Sequence, residues 1–419
     1  MTTLWKHALT KALLTVWQYG SLNLVMPDGK ICSFGKVTSA SLTVRLHTDK
    51  TVRRLALNPE MALGEAYMDG TLTIDGDDLQ GFLALLFSNL YSDARKRIWW
   101  QKPLVKARTA LQGLSQGNVI GRARRNVAHH YDLSESLYDL FLDDDRQYSC
   151  AYFKHPAETL EAAQDNKKRH IARKLMIAPN MRVLDIGCGW GGMALMLARD
   201  YGARVTGITL SKEQHAYAVR RAEEEKLSNA VEFRLADYRE VEGTFDRIVS
   251  VGMFEHVGKQ CFESYFRAIR RRLKADGIAL IHTIGCALPP RGPSPWIDKY
   301  IFPGGYIPSV SEVMRSVENE ALWATDIECW RLHYAYTLRH WYDRFVGNED
   351  KARALYDARF VRMWRFYLAA CEQTFRHNHL AVFQFQLAKA IDQVPIRRDY
   401  LYGPSAQTTS ERAPLMEVG

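Results

Sequence analysis

Between residues 181 and 285, short apolar runs alternate with segments of helical period. The runs are RVLDI (182–186), RVTGITL (204–210), VEFRLAD (231–237), FDRIVSVGMF (245–254) and GIALIHTI (277–284). GMALMLARDYG (192–202) follows the first run and SKEQHAYAVRRAEEEKL (211–227) the second, both with apolar positions on one helical face. Runs rich in Val, Ile and Leu, with little polar alternation, suit strands covered on both faces. The βαβα rhythm therefore predicts an α/β fold with a doubly wound parallel sheet.

The flanks read differently. Residues 1–90 predict a small mixed and helical domain. It has an amphipathic helix at the N-terminus, a strand in the second half of KVTSASLTVRLH (36–47), and a short helix closed by a glycine turn in NPEMALGEAYMDGTLTIDG (58–76). NVAHHYDLSESLYDLFLDDDRQYSCAYF (126–153) and AETLEAAQDNKKRHIARKL (157–175) predict helices flanking a turn. Residues 286–345 are rich in Pro, Gly, Trp and Tyr, as an aromatic-rich, substrate-covering insertion would be. The tail returns to helix from residue 350 and then to the strand-like AVFQFQLAK (381–389). The expected organisation is thus a domain at 1–90, a linker at 91–125, a catalytic domain at 126–402 and a flexible tail at 403–419.

Charge sharpens one part of this picture. The net charge is +9. Residues 91–125 hold nine Arg or Lys against Asp93 alone, a net of +8, so the rest of the chain is close to neutral. Trp99 and Trp100 lie in that stretch. Basic residues with interfacial aromatics suit an anionic membrane surface. Nucleic acid accepts such a patch too, and a solvated linker needs no ligand at all. No apolar run approaches the ~18 residues needed to span a bilayer, and GFLALLFSNLY (81–91) is too short. Lys6 and Lys11 interrupt the N-terminal apolar stretch, which excludes a secretory signal. Seven cysteines (32, 150, 188, 261, 286, 329 and 371) occur without a CxxC pair. That pattern argues against a disulfide framework or a zinc site, and for a reducing cytoplasm.

The candidate chemistry collects at the ends of the predicted strands, where open α/β sheets keep their ligands. VLDIGCGWGG (183–192) is a strand, a glycine turn and a helix start. Gly187, Gly189 and Gly191 let the backbone approach a ligand closely. Trp190 breaks the dinucleotide spacing, and Asp185 stands where it can meet a cationic ligand. LADY (235–238) ends the third strand with Asp237 and Tyr238, suited to an adenine amine and ring face. This set looks like the S-adenosylmethionine site of a class I methyltransferase. The second strand ends GITLS without an acid for the ribose, so Thr209, Leu210 and Gln214 are the candidates there. Ser211 and Gln214 also fit a capping box, S-x-x-Q, and both roles coexist if Gln214 points away from Ser211. SVGMFEHVG (250–258) then carries Glu255 and His256 past the fourth strand, as either a plain polar loop or part of an active site.

At this point the chain resembles the bacterial cyclopropane-fatty-acyl-phospholipid synthases. The motifs carrying the resemblance include GEAYMDG (64–70), HYDLS (130–134), QYSCAYF (147–153), GITLSKEQ (207–214), SVGMFEHVG, LIHTIG (280–285), WIDKYIFPGGYIPS (296–309), HYAYTLRHWYDRF (333–345) and VPIRRDY (394–400). The resemblance implies transfer of a methylene from S-adenosylmethionine to the cis double bond of unsaturated acyl chains in phospholipids. It implies a bicarbonate ion held by the backbone at Cys150 and Ile284 and by the side chains of Glu255, His282 and Tyr334. His256 would then be a supporting residue. Tyr148 and Ser149 would touch the methionine end of the cofactor. Cys371 holds the position traditionally given to an active-site thiol, although no step needs a thiolate and its helix face looks packed. The aromatic cover would include Trp296, Tyr300, Phe302, Tyr306, Tyr336 and Trp341. A homodimer, peripheral on the inner face of the membrane, is expected, with neither metal nor nucleic acid as partner. A methyl-branching enzyme without ring closure is the close alternative. A nucleic-acid methyltransferase is disfavoured by Glu255 and by the missing base-reading aromatic–proline motif. A non-catalytic lipid-binding protein is disfavoured by the intact motifs.

Overall fold

The structure is a computed structural model that describes residues 2–35, 41–91, 134–288 and 294–402. The N-terminal third begins with helix α1 (Thr2–Val16), which buries Leu9 and leaves Leu4 and Leu14 exposed. Strands β1 (Ser21–Val25), β2 (Ile31–Gly35) and β3 (Leu42–Leu46) follow. Helices α2 (Asp49–Leu57) and α3 (Pro59–Met68), strand β4 (Leu72–Ile74) and helix α4 (Leu79–Tyr91) complete it. Thr48 starts α2 by accepting the Thr51 amide, and Pro59 opens α3 where no amide partner is needed. Gly70, at φ +69°, then turns the chain into β4. The four strands lie in the order β2-β1-β3-β4, with only β1 and β3 parallel.

The larger sheet is framed by α5 (Glu135–Tyr138) and α6 (Leu160–Lys174). It then runs β5 (Arg182–Ile186), α7 (Gly192–Tyr201), β6 (Arg204–Thr209), α8 (Lys212–Glu224), β7 (Val231–Leu235), β8 (Phe245–Val251), α9 (Phe262–Arg272) and β9 (Leu273–Cys286). Helices α10 (Pro295–Tyr300) and α11 (Val310–Asn319), strand β10 (Trp323–Trp330), and helices α12 (His333–Gly347), α13 (Glu349–Leu355) and α14 (Ala358–His377) lead to β11 (Leu380–Ala388). The strand order is β10-β11-β9-β8-β5-β6-β7. One core, with Ile248, Phe254, Tyr265 and Phe266, covers one face, and a second, with Val183, Leu195, Ala218 and Leu280, covers the other.

The five strands expected between 181 and 285 pair in parallel, and β11 adds antiparallel between β9 and β10, so the whole sheet is mixed. Two expectations need correction. Residues 286–345 are more than a cover, since they supply edge strand β10. That strand escapes the sequence pattern because most of its positions are half-buried or exposed. Within 126–153, only Glu135–Tyr138 of the described residues forms an α-helix. The Asp143 carboxylate accepts the amides of Asp145 and Gln147, and this local turn competes with helix continuation.

The first third packs on the larger unit rather than standing off from it. A continuous apolar core runs from Phe82 and Leu83 to Phe366 and Leu368. Helix α14 carries Arg359 to Asp69 (2.8 Å), Arg362 to the Met68 carbonyl (2.7 Å) and Gln373 to Gln80 (3.1 Å). Most of the basic stretch 91–125 and all of 403–419 lie outside the described residues.

Candidate active site

Strands β5, β6, β7 and β8 end along one edge of the sheet, and a cleft of about 1320 Å³ opens there. Tyr148, Ser149, Asp185, Gly187, Gly189, Thr209, Leu210, Gln214, Asp237 and Tyr238 all line it, with Arg146, Trp190, Met253 and His256. Gly187 and Gly189 have φ of +82° and +54°. A side chain at Gly187 would meet Met253 at 2.9 Å, so glycine is required for the turn to lie flat against the end of β8. Gly191 differs. It begins α7 at φ +86°, and a Cβ there would meet the Phe233 ring at 2.8 Å, so it serves close packing and does not line the cleft.

Two polar features of the cleft suit a ligand with a cationic end and hydroxyls. Asp185 is 2% exposed, and its Oδ2 has no partner among the described residues. Burial pushes its carboxyl up to about 7, so a bound cation at this spot would supply what the protein does not. Ser211 starts α8 by accepting the Gln214 amide, while the Gln214 side chain accepts from the Thr209 hydroxyl at 3.1 Å. Gln214 thus turns toward the cleft and the capping box stays half-formed. Asp237 is paired with Arg239 (2.7 and 2.8 Å), so its carboxylate already has a cationic partner inside the cleft. Tyr238 stands edge-on to Tyr265, 5.1 Å between centroids.

Sequence reading missed Lys167. From α6, its ammonium is fully buried and donates to Gln147 Oε1 (2.8 Å) and Ser149 Oγ (2.7 Å). Gln164, one turn earlier, donates to the carbonyls of Gln147 and Ser149. Burial pulls the Lys167 amine down to about 8, with Asp143 opposing the effect. The two side chains fix the segment that presents Tyr148 and Ser149. The signal was visible as polar residues at 164 and 167, one turn apart on a helix that also buries Lys168, His170 and Lys174. Their depth was not.

Behind the cleft, the residues expected to hold a small anion come together. Cys150, Ile284, Tyr334, Trp330 and Val382 form one apolar cluster. Glu255 is 9% exposed and its Oε1 accepts the Ile284 amide at 2.6 Å, while Oε2 has no partner among the described residues. The Ile284 backbone, expected among the ligands of the ion, thus meets Glu255 through its amide. Burial pushes the Glu255 carboxyl up to about 7. His282 is 2% exposed, takes the Gln384 amide on Nδ1 (3.1 Å) and meets Trp330 edge-on. With Nδ1 accepting, its proton is on Nε2. Burial, then the nearby Lys167 and Lys174, holds this imidazole neutral. His256, held neutral by burial at about 4, lines the cleft itself and so stands nearer the ligand than a supporting role implies.

Cys371 is half-buried on α14 against the large core, and burial pushes its thiol up to about 12. No thiolate is available there near neutral pH. The six aromatics expected as a cover do not line the cleft. Trp296 and Trp341 are buried in the core, and Tyr306 hydrogen-bonds Glu312. Pro303 and Gly304 form the rim instead, and Phe302 approaches His256 at 6.0 Å.

Comparisons with known proteins agree with the fold. A family model described as mycolic acid cyclopropane synthetase matches residues 120–385, and a model described only as a domain of unknown function matches 10–97. The chain is 38% identical over 358 residues to the cyclopropane-fatty-acyl-phospholipid synthase of Escherichia coli, covering 84% of this chain and 90% of that one. It is 34% identical over 382 residues to a tuberculostearic acid methyltransferase of Mycobacterium tuberculosis, covering 88% of each. Among solved structures, a mycolic acid cyclopropane synthase complexed with SAH and CTAB superposes with a TM-score of 0.60 at 34% identity. That match covers 63% of this chain and 97% of the other.

Proposed function

The chain belongs to the mycolic acid cyclopropane synthetase family of S-adenosylmethionine-dependent methyltransferases, and from that premise we propose that it methylenates unsaturated acyl chains of membrane phospholipids. The observation that carries the reading is the buried Glu255 carboxyl joined to the Ile284 amide, with Ile284 packed against Cys150, Tyr334 and Trp330 and with His282 edge-on to Trp330. Similarity to the phospholipid synthase along 90% of that enzyme's length supports the substrate class.

Asp185, Gln214, Thr209 and Tyr238 would hold the cofactor, whose electrophilic methyl becomes the ring carbon after losing one proton. The protein's task is to hold an acyl cis bond at the cleft, keep water out and accept that proton. A bicarbonate ion held beside Glu255 would supply the base for that proton. Glu255 has a carboxyl near 7, so it can stay protonated or share a proton with such an ion, which removes the repulsion between two anions. Tyr334 and the Nε2–H of His282 are the hydroxyl and imidazole donors for the remaining oxygens. The apolar surroundings given by Trp330 and Val382 exclude water that would trap a carbocation.

Incubation of purified protein with unsaturated phospholipid vesicles and a deuterated-methyl donor tests the reading. Ring closure leaves two deuterons on a cyclopropyl methylene, identified by NMR. With a hydride donor added to the same incubation, a product retaining three deuterons on a methyl branch would replace this proposal with the methyl-branching alternative, which the 34% identity to the tuberculostearic acid methyltransferase favours. Action at the cytoplasmic face of the membrane, as a homodimer, belongs to the same proposal. The +8 stretch at 91–125 supports the surface, and sedimentation of the purified protein checks the dimer.

A further inference from the structure

The motif GEAYMDG lies in α3, far in sequence from the cleft, and the reaction as described leaves it without a role. Glu65, its acid, is 6% exposed. Its carboxylate accepts from Arg54 of α2 and, across the boundary between the two parts of the chain, from Lys299 Nζ (2.8 Å) and Tyr300 Oη (2.7 Å). Both cross-boundary donors are on α10. The preceding glycine completes the contact: a Cβ on Gly64 would meet the Trp296 indole at 2.4 Å, so only glycine lets α10 seat on α3.

What α10 leads into makes this more than packing. Three residues beyond Tyr300, Pro303 and Gly304 form the rim of the cofactor cleft. The Gly304 amide is tied back to Asp298 on α10 (2.9 Å), so the rim moves with the helix. Two residues further, the Tyr306 amide donates to the Glu255 carbonyl at 2.9 Å. One short segment, 295–306, therefore joins a buried carboxylate of the N-terminal third to the cleft rim and to the main chain of Glu255.

We propose that Glu65 is a positioning residue: through Lys299 and Tyr300 it holds segment 295–306 in place, and so sets the cleft rim and the placement of Glu255. A carboxylate held by three donors from two helices is strongly directional, and removing its charge loosens the donors rather than emptying a core position. The family model for the catalytic part matches residues 120–385, so Lys299 and Tyr300 belong to it while Glu65 lies outside it. The N-terminal third thereby shapes the cleft as well as any surface it docks on. The inference rests on the cofactor reading of the cleft and not on the identity of the acyl substrate.

The test uses the full chain with Glu65→Gln, Tyr300→Phe, Lys299→Met and the double variant Glu65→Gln/Tyr300→Phe. The Lys299 side chain is about half exposed, so its replacement leaves the core intact. Three readouts are needed: S-adenosylhomocysteine affinity by calorimetry without lipid, kcat on unsaturated vesicles, and vesicle co-sedimentation. Expected are a threefold or larger loss of S-adenosylhomocysteine affinity and a tenfold or larger fall in kcat for Glu65→Gln, with smaller losses of the same kind for the two α10 variants. Vesicle binding and melting temperature should stay near wild type, and the double variant should be no worse than Glu65→Gln alone. Wild-type ligand affinity and kcat in all variants would overturn the proposal. So would losses that merely track a lowered melting temperature or add up in the double variant. Affinity is read without acyl substrate, so failure of the phospholipid reading leaves this outcome separately visible.

Discussion

Replacing Glu255 by Gln should raise stability at alkaline pH while removing most of the turnover. The folded protein holds this carboxyl at about 7 against an ordinary 4.5, through burial. Below about 4.5 it is protonated in both folded and unfolded chains and pH has no leverage. Between 4.5 and 7 the unfolded chain ionises first, so stability falls as pH rises, and above 7 the full cost is present. At about 1.4 kcal/mol per pH unit that cost is about 3 kcal/mol. Gln keeps an oxygen for the Ile284 amide but places an unpartnered NH₂ where Oε2 stood, at a cost of about 1–2 kcal/mol. The variant should then gain about 1–2 kcal/mol at pH 8.5 and gain nothing, or lose slightly, at pH 5. For a chain this long, 1 kcal/mol corresponds to about 1 °C in melting temperature. The difference between variant and wild type should therefore swing by about 2–3 °C across that range, in bicarbonate-free buffer. Taking the difference cancels every other titration. Parallel melting curves at all pH values would refute the charge assignment. Turnover in saturating bicarbonate should fall by roughly 100-fold with S-adenosylhomocysteine binding retained; near-normal turnover would refute the proposed role beside the anion.

Tyr334→Phe removes one donor from a filled site, so a loss of about 1–3 kcal/mol, partly restored by added bicarbonate, is expected; indifference to bicarbonate at every concentration counts against it. Asp185→Asn should weaken S-adenosylhomocysteine binding at least tenfold, and wild-type affinity should climb as pH rises through about 7 while the variant's stays flat, measured by calorimetry. Cys371→Ser should keep most of the turnover, since a thiol held at about 12 supplies no nucleophile; loss of all activity in a folded variant would reinstate it. Neutralising Arg95, Lys96, Arg97, Lys102, Lys106 and Arg108 should weaken binding to anionic vesicles and flatten its salt dependence without altering cofactor affinity, and identical co-sedimentation across a salt series would remove the stretch from any membrane role.

The strand runs RVLDI and FDRIVSV and the glycines after β5 were legible because their signals are local. Burial on both faces demands continuous apolar residues, and a tight turn demands φ values that glycine alone adopts cheaply. The Ser211 cap was legible for the same reason, since its partner is three residues away. Edge strand β10 was not, because half-exposed positions carry neither an apolar run nor clean alternation. The helix expected over 126–153 stops at Tyr138 because side-chain turns at Asp143 compete on equal terms with helical bonds. The chemistry divides along the same line. Sequence supplied Asp185 and Glu255 as carboxylates at strand ends, but their protonation is set by burial and by partners elsewhere in the chain. Ile284 meets Glu255 from 29 residues away, and Lys167 reaches Ser149 from 18. Glu65 touches α10 from more than 230. Periodicity reports that a face is covered, while the identity of what covers it, and hence the charge a buried group can bear, exists only once distant segments are packed together.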